Sequence, residues 1–182
     1  WGWRGAWQVM AAASFAWAVF MGVALRNFAP PSASTAARSG ALADLRLTAS
    51  TPGPWVLAFC FGCYTLLWTA LMVWLPTFLV EQRGSSLAAA ATLTVIVVFV
   101  NLPGNILGGW LNERGWPRAR LIAFVGILFA VTGPLIFLDF LGDGMRYALA
   151  LVFSFFGGFL PSSVLGAAPV FAPSPRQIGA TN

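Results

Sequence analysis

A chain of 182 residues that is 59% hydrophobic, 15% aromatic and only 8% charged has too little polar surface to close over a soluble core, and belongs in a bilayer. Its ten cationic residues are all arginine; without lysine or histidine there is no Schiff-base lysine, no histidine metal site and no Ser-His or Cys-His catalysis, which argues against an enzyme. The formal charge of +5 is explained by membrane topology rather than by a nucleic-acid partner, because the arginines collect between apolar stretches.

Residues 5–25, 54–80, 86–111, 119–138 and 147–171 are five apolar stretches, each meeting the roughly 20 residues that a helix needs to cross about 30 Å of hydrocarbon. They are continuously apolar rather than alternating, so the backbone must satisfy its own hydrogen bonds as helices and not as a barrel. The expected fold is an all-α, polytopic membrane helix bundle. Cys60 and Cys63 fall inside the second stretch, where FCFGCY lacks the electropositive surroundings of a redox thiol, and read as small packing residues. Residues 28–53, rich in Ala, Ser, Pro and Gly, read as a flexible linker in which Leu42, Leu45 and Leu47 could form a short surface helix. The other connections are a few residues long, so successive helices after Pro54 are antiparallel neighbours.

If the loops alternate sides, one side holds Arg26, Arg38, Arg46, Arg114, Arg118, Arg120 and Arg176, and the other Arg4, Arg83 and Arg146. The excess places the first group in the cytoplasm, with the N-terminus outside, the C-terminus inside and the bilayer, a cell inner (plasma) membrane, as the principal partner. The chain begins at Trp1 rather than Met and is expected to be a piece of a longer protein.

Solute sites in membrane transporters lie near the bilayer midplane, often where helices are broken. Halfway along the second span stand Tyr64 and Trp68, four residues apart and therefore on one face. In the third, Asn101 lies one turn past the middle and Asn105 a turn further, with Pro103 between them. The fifth passes through Phe156, Gly157, Gly158, Pro161, Ser162 and Ser163, where glycine and proline weaken the helix and serine supplies hydroxyls. Tyr64, Trp68, Asn101, Phe156 and Ser162 are the cavity candidates, and Pro103, Gly157, Gly158 and Pro161 the candidate hinge. Each has a packing alternative: aromatics fill spans, asparagines bond between helices, a kink need not move, and Gly104 with Gly108 has the GxxxG spacing of close helix contact. An asparagine near Pro103 could repair the Phe99 carbonyl that loses its helical donor. No ionisable residue lies in the middle of a span, and no metal or cofactor is implied.

The run GGWLNERGWPRAR, at the end of the third span, resembles the cytoplasmic loop motif of the major facilitator superfamily. Gly109, Glu113, Arg114, Gly115 and Arg118 occupy its roles. Glutamate replaces the common aspartate, Gly115 follows Arg114 directly, and Trp116 and Pro117 stand where a basic pair is usual. WGWRGAW, WLPTFLVEQRGSS, LPGNILGGWL and GGFLPSSVLGAAPVFAPSPRQIGATN are similar to the start of the sixth helix, the end of the seventh, the eighth, and the tenth with its following loop, in the cyanate-permease-like branch. The resemblance implies a twelve-helix fold, of which residues 1–27 are the last helix of the N-terminal half, 28–53 the central cytoplasmic linker, and 54–182 helices seven to ten. It implies secondary active transport of a small solute, an organic or inorganic anion, with a coupling proton and a gating role for the loop motif. The alternative from another class is a non-transporting membrane scaffold or assembly subunit that packs through the Gly104 face.

Overall fold

The computed structural model describes residues 2–26 and 41–173. Arg38 and Arg176, used above for orientation, and residues 28–40 of the expected linker lie outside the described residues. The described residues are helical with short turns, and the chain divides into two compact units, 1–39 and 40–182. In the first, α1 (Trp3–Leu25) is a single apolar helix of 23 residues in which Trp17 and Phe20 pack with ring centroids 5.4 Å apart.

The second unit opens with α2 (Ala41–Ala49), inside the segment read as a flexible linker. Its leucines 42, 45 and 47 are exposed while Thr48 is buried. The Ser50 and Thr51 hydroxyls donate to the Leu47 and Thr48 carbonyls, closing the turn into the next helix. Pro52 stands in that helix's first turn, where its missing N–H costs nothing, so α3 (Pro52–Glu81) begins two residues earlier than hydropathy alone places it. Four antiparallel passes follow: α3, α4 (Leu87–Glu113), α5 (Arg118–Phe137), and a last pass divided into α6 (Asp143–Gly157), α7 (Phe159–Leu165) and α8 (Ala168–Phe171). Among the described residues five helical passes are long and apolar enough to cross a membrane.

Pro76, Pro103 and Pro134 sit inside helices that continue through them. Among the described residues only the last pass is interrupted, at Gly158 and again at Gly166–Ala167; near the first break Pro161 cannot donate to the carbonyl four residues back, and the Gly158 N–H turns to Ser154 and Phe155. This pass starts at Asp143, four residues before the expected Tyr147. Arg146 is therefore not a loop residue but part of the first helical turn. An acid in that turn favours helix there, and the arginine's charge is answered by a neighbouring carboxylate described below.

The core runs along α3, α5 and α6, through Leu71, Leu75, Val125, Phe129, Ile136, Ala150 and Phe153. Cys60 is half-buried against it and Cys63 is exposed; both are free thiols.

Candidate functional site

α4 carries Asn101, Gly104, Asn105, Gly108 and Asn112 at spacings of three and four, which places them on one helical face. Across from them, α6 and α7 present Ser154, Gly158 and Ser162 at spacings of four. A methyl group at Gly104 would collide with the Phe155 carbonyl, and one at Gly158 would stand 2.5 Å from the Asn101 carbonyl and the Asn105 N–H. At Gly108 it would meet Ser162 Oγ at 2.6 Å and Phe159 Cα at 2.7 Å. Two main chains thus touch along this seam, and only glycine permits it.

The polar groups of the seam bond both across it and along α4. Asn101 Nδ2 donates to the Ser154 carbonyl at 2.8 Å, and Asn105 Nδ2 donates to Asn101 Oδ1 at 2.7 Å. The Ser154 hydroxyl donates to the Val97 carbonyl. Nearer the loop motif, Asn112 Nδ2 donates to Ser163 Oγ at 3.1 Å. The asparagine amides therefore bond to one another and to α6–α7, not to the Phe99 carbonyl that Pro103 frees. Ser154 and Asn112 were missed by the search for midpoints. Asn112 was legible as the next member of the 101, 105, 108 series, whereas Ser154 matters only because of what α4 brings to it.

Of the five cavity candidates, three come together. Tyr64 is buried, its ring stacks on Trp68 at 6.4 Å and on Phe129 at 6.3 Å, and Asn101 is its polar neighbour. Phe129 in turn stacks on Phe153 at 3.7 Å. Gly157 lies where this aromatic group meets the amides, since a Cβ there would stand 2.9 Å from Phe129 and 3.7 Å from Asn101 Nδ2. Phe156 is elsewhere, edge-on to Phe124 at 5.3 Å. The Ser162 hydroxyl donates to the Phe159 carbonyl at 3.0 Å, in the seam beside Gly108.

The loop motif lies where α4 ends and α5 begins. Gly115 has φ +82°, and the Trp116 and Gly115 N–H groups bond the Leu111 and Asn112 carbonyls, closing α4 with a left-handed cap. That cap is the physical reason for a glycine directly after Arg114. Gly109 has open space around its Cα. The Arg114 guanidinium covers the Trp110 ring at 3.9 Å, Arg118 reaches toward Gly166 at the end of α7, and Glu113 is exposed. Among the described residues no ion pair joins Glu113 to either arginine.

Formed ion pairs stand at the opposite end. Arg83 reaches Asp139 at 3.5 Å and Asp143 at 3.1 Å, and Arg146 reaches Asp139 at 3.4 Å. Besides a groove of about 350 Å³ at the loop motif, lined by Asn112, Trp116, Arg118 and Phe171, two grooves border Phe137. One of about 380 Å³ is lined by Leu67, Leu71, Phe129, Phe137 and Phe153, and another of about 300 Å³ by Trp74, Thr77, Glu81 and Phe137. The first has no charged or amide side chain to hold a polar solute.

A family profile described as Major Facilitator Superfamily matches residues 1–182. The chain is 27% identical over 191 residues to the probable sulfoacetate transporter of Cupriavidus necator, a match covering 93% of this chain and 44% of that protein. It is 38% identical over 56 residues to the niacin transporter of Acinetobacter baylyi, covering 31% of this chain and 12% of that one. With the hexuronate transporter of Bacillus subtilis it shares 29% identity over 73 residues, 40% of this chain and 17% of the relative. The chain thus spans less than half the length of these curated relatives. No solved structure matches it.

Proposed function

Because the chain belongs to the major facilitator superfamily and carries five apolar helices of membrane-spanning length, as an integral membrane protein does, we propose that it is part of a secondary active transporter of small organic anions. The observation that carries the reading is the family match along the whole chain. The solute class is supported by relatives named for sulfoacetate, niacin and hexuronate, all of them carboxylates. The likeness to the cyanate-permease branch points to the same class, small anions.

In this reading residues 1–27 close the N-terminal half, 28–53 link the halves in the cytoplasm, and 54–182 supply helices seven to ten. The halves rock about a midplane site. Tyr64, Trp68 and Asn101 meet the solute, with Phe156 and Ser162 lining its path. Support comes from the meeting of an aromatic stack and an amide at Gly157, beside the interrupted helix. Gly157, Gly158 and Pro161, with Pro103 on the exposed side of α4, provide the bend. Gly109, Glu113, Arg114, Gly115 and Arg118 hold the cytoplasmic side closed in one state, and a proton gradient drives accumulation. The protein sits in the cell inner membrane with the N-terminus of this stretch outside and its C-terminus in the cytoplasm.

The test is uptake of a panel of small carboxylates and sulfonates into proteoliposomes carrying the full-length protein, with and without a proton gradient. Saturable, gradient-dependent accumulation of at least one of them is expected. Uptake of none, by protein shown to be folded and inserted, would remove the reading.

A further inference from the structure

Arg146 is a buried charge with an incomplete set of partners. Its side chain is 2% exposed, yet its one acceptor, Asp139, is 91% exposed and touches Nη2 alone. Among the described residues Nε and Nη1 have no acceptor. The Phe78 ring lies under the guanidinium at 5.7 Å, but a ring face does not accept N–H groups directed along the guanidinium plane. A guanidinium taken out of water needs its donors met, and breaking such satisfaction is strongly unfavourable.

Beside it is a cavity of about 20 Å³ lined by Phe78, Arg83, Asp143, Arg146 and Tyr147, among others. That volume admits one sphere of the size of a water molecule or slightly more, and excludes a polyatomic acid. Nothing else in the wall competes for a guest. The Tyr147 hydroxyl donates to the Leu93 carbonyl, and Arg83 is turned to Asp139 and Asp143. The cavity adjoins the N-terminus of α6, a helix of 15 residues whose Gly142 cap offers no side-chain acceptor. Its positive end therefore adds to the arginine's field. Asp143 also lines the cavity, but its carboxylate is 65% exposed and paired with Arg83 at 3.1 Å, and Asp139 is 91% exposed, so solvent and Arg83 screen both acids from a guest.

We propose that this end of the bundle binds one monoatomic anion of halide size on Arg146 Nε and Nη1, completing the coordination that Asp139 begins. The site is separate from the solute path and holds a structural ion. Its presence does not depend on which solute is carried.

The test uses the full-length protein in nanodiscs, melted in sodium chloride, bromide or gluconate at equal ionic strength. A saturable rise in Tm with chloride and bromide, absent with gluconate, is expected, and Arg146→Gln should abolish it. Asp139→Asn removes the competing negative charge and should lower the halide concentration at half-effect several-fold. A wild-type Tm indifferent to halide, meaning that the cavity holds only water, would overturn the proposal, as would an undiminished halide effect in Arg146→Gln. If Arg146→Gln does not fold, Asp139→Asn decides: an unchanged midpoint rejects the site. Solute uptake is not the readout, so failure here leaves the transport reading untouched.

Discussion

α6 meets different surfaces on its two sides. Toward α4 it offers glycine, serine and main-chain carbonyls, and the contact is backbone against backbone with amides bonded across it. Toward α5 and α3 it offers Phe153 to a stack of rings, beside a groove of about 380 Å³. The first surface has no slack: moving one helix breaks hydrogen bonds and drives main chains together. On the second, side chains can change rotamer or slide without losing a polar partner. Such a bundle holds α4 against α6–α7 at the level of the main chain, and α6 against its aromatic side through side chains alone.

The sharpest way to break that contrast is to add a side chain to each surface. Gly104→Leu places atoms in the Phe155 carbonyl, and overpacking of this kind costs about 3 kcal/mol or more when main chain must shift. Gly126→Leu on α5 points where nothing lies within 4 Å and should cost under about 0.5 kcal/mol. Thermal unfolding of the full-length protein, followed by size-exclusion chromatography in detergent, should show loss of the monodisperse species for the first and not for the second. Equal tolerance would mean that the seam is not closed.

The next effect is kinetic. If the solute meets the aromatic and amide group, Trp68→Ala should raise KM by about tenfold, corresponding to roughly 1.4 kcal/mol. Phe137→Ala should change it less than about twofold, since the charged group that shares its second groove, Glu81, repels an anion rather than holding one. Phe137 is the informative control because it borders both grooves while none of the five candidates does. The opposite ranking would move the solute to the groove.

A smaller effect belongs to the amides. Hydrogen bonds between helices in a membrane are worth about 0.6 kcal/mol on average and seldom above about 1.7. The double-mutant cycle of Asn112→Ala and Ser163→Ala should give a coupling of that order in unfolding free energy, because Asn112 Nδ2 donates to Ser163 Oγ from α4 to α7. A coupling near zero with intact transport would leave the pair as independent fillers of the seam.

The spans were legible in sequence because hydropathy and length report on the bilayer directly, and the ends moved by only a few residues when capping entered, as at Pro52 and Asp143. The seam was half legible: GxxxG spacing and the two asparagines mark a face, but the sequence says nothing of which helix that face meets. Ser154 and Arg146 acquire meaning only through partners over forty residues away or on another turn, so no local pattern could single them out. The loop motif shows the reverse. It was the most recognisable stretch, yet its charges find no ion-pair partner among the described residues, while the paired charges gather at the end where no motif was read.

That contrast between the ends yields the last prediction, with the smallest effect on folding. An interaction biases an equilibrium between two states only if it differs between them. Here Arg114 is exposed and spends its charge on Trp110, a contact worth about 0.5–1 kcal/mol at an exposed site. Arg114→Gln should therefore leave membrane insertion intact and lower stability by no more than that amount. If the arginine acquires a carboxylate partner in another state of the transport cycle, the same substitution should slow uptake several-fold, and Arg114→Lys should restore part of the rate because it keeps the charge but not the planar fork. Unchanged uptake kinetics with Arg114→Gln would reduce the residue to an interfacial anchor, and the gating role would then have to rest on Arg118, whose Nε is buried without an acceptor in the arrangement seen here.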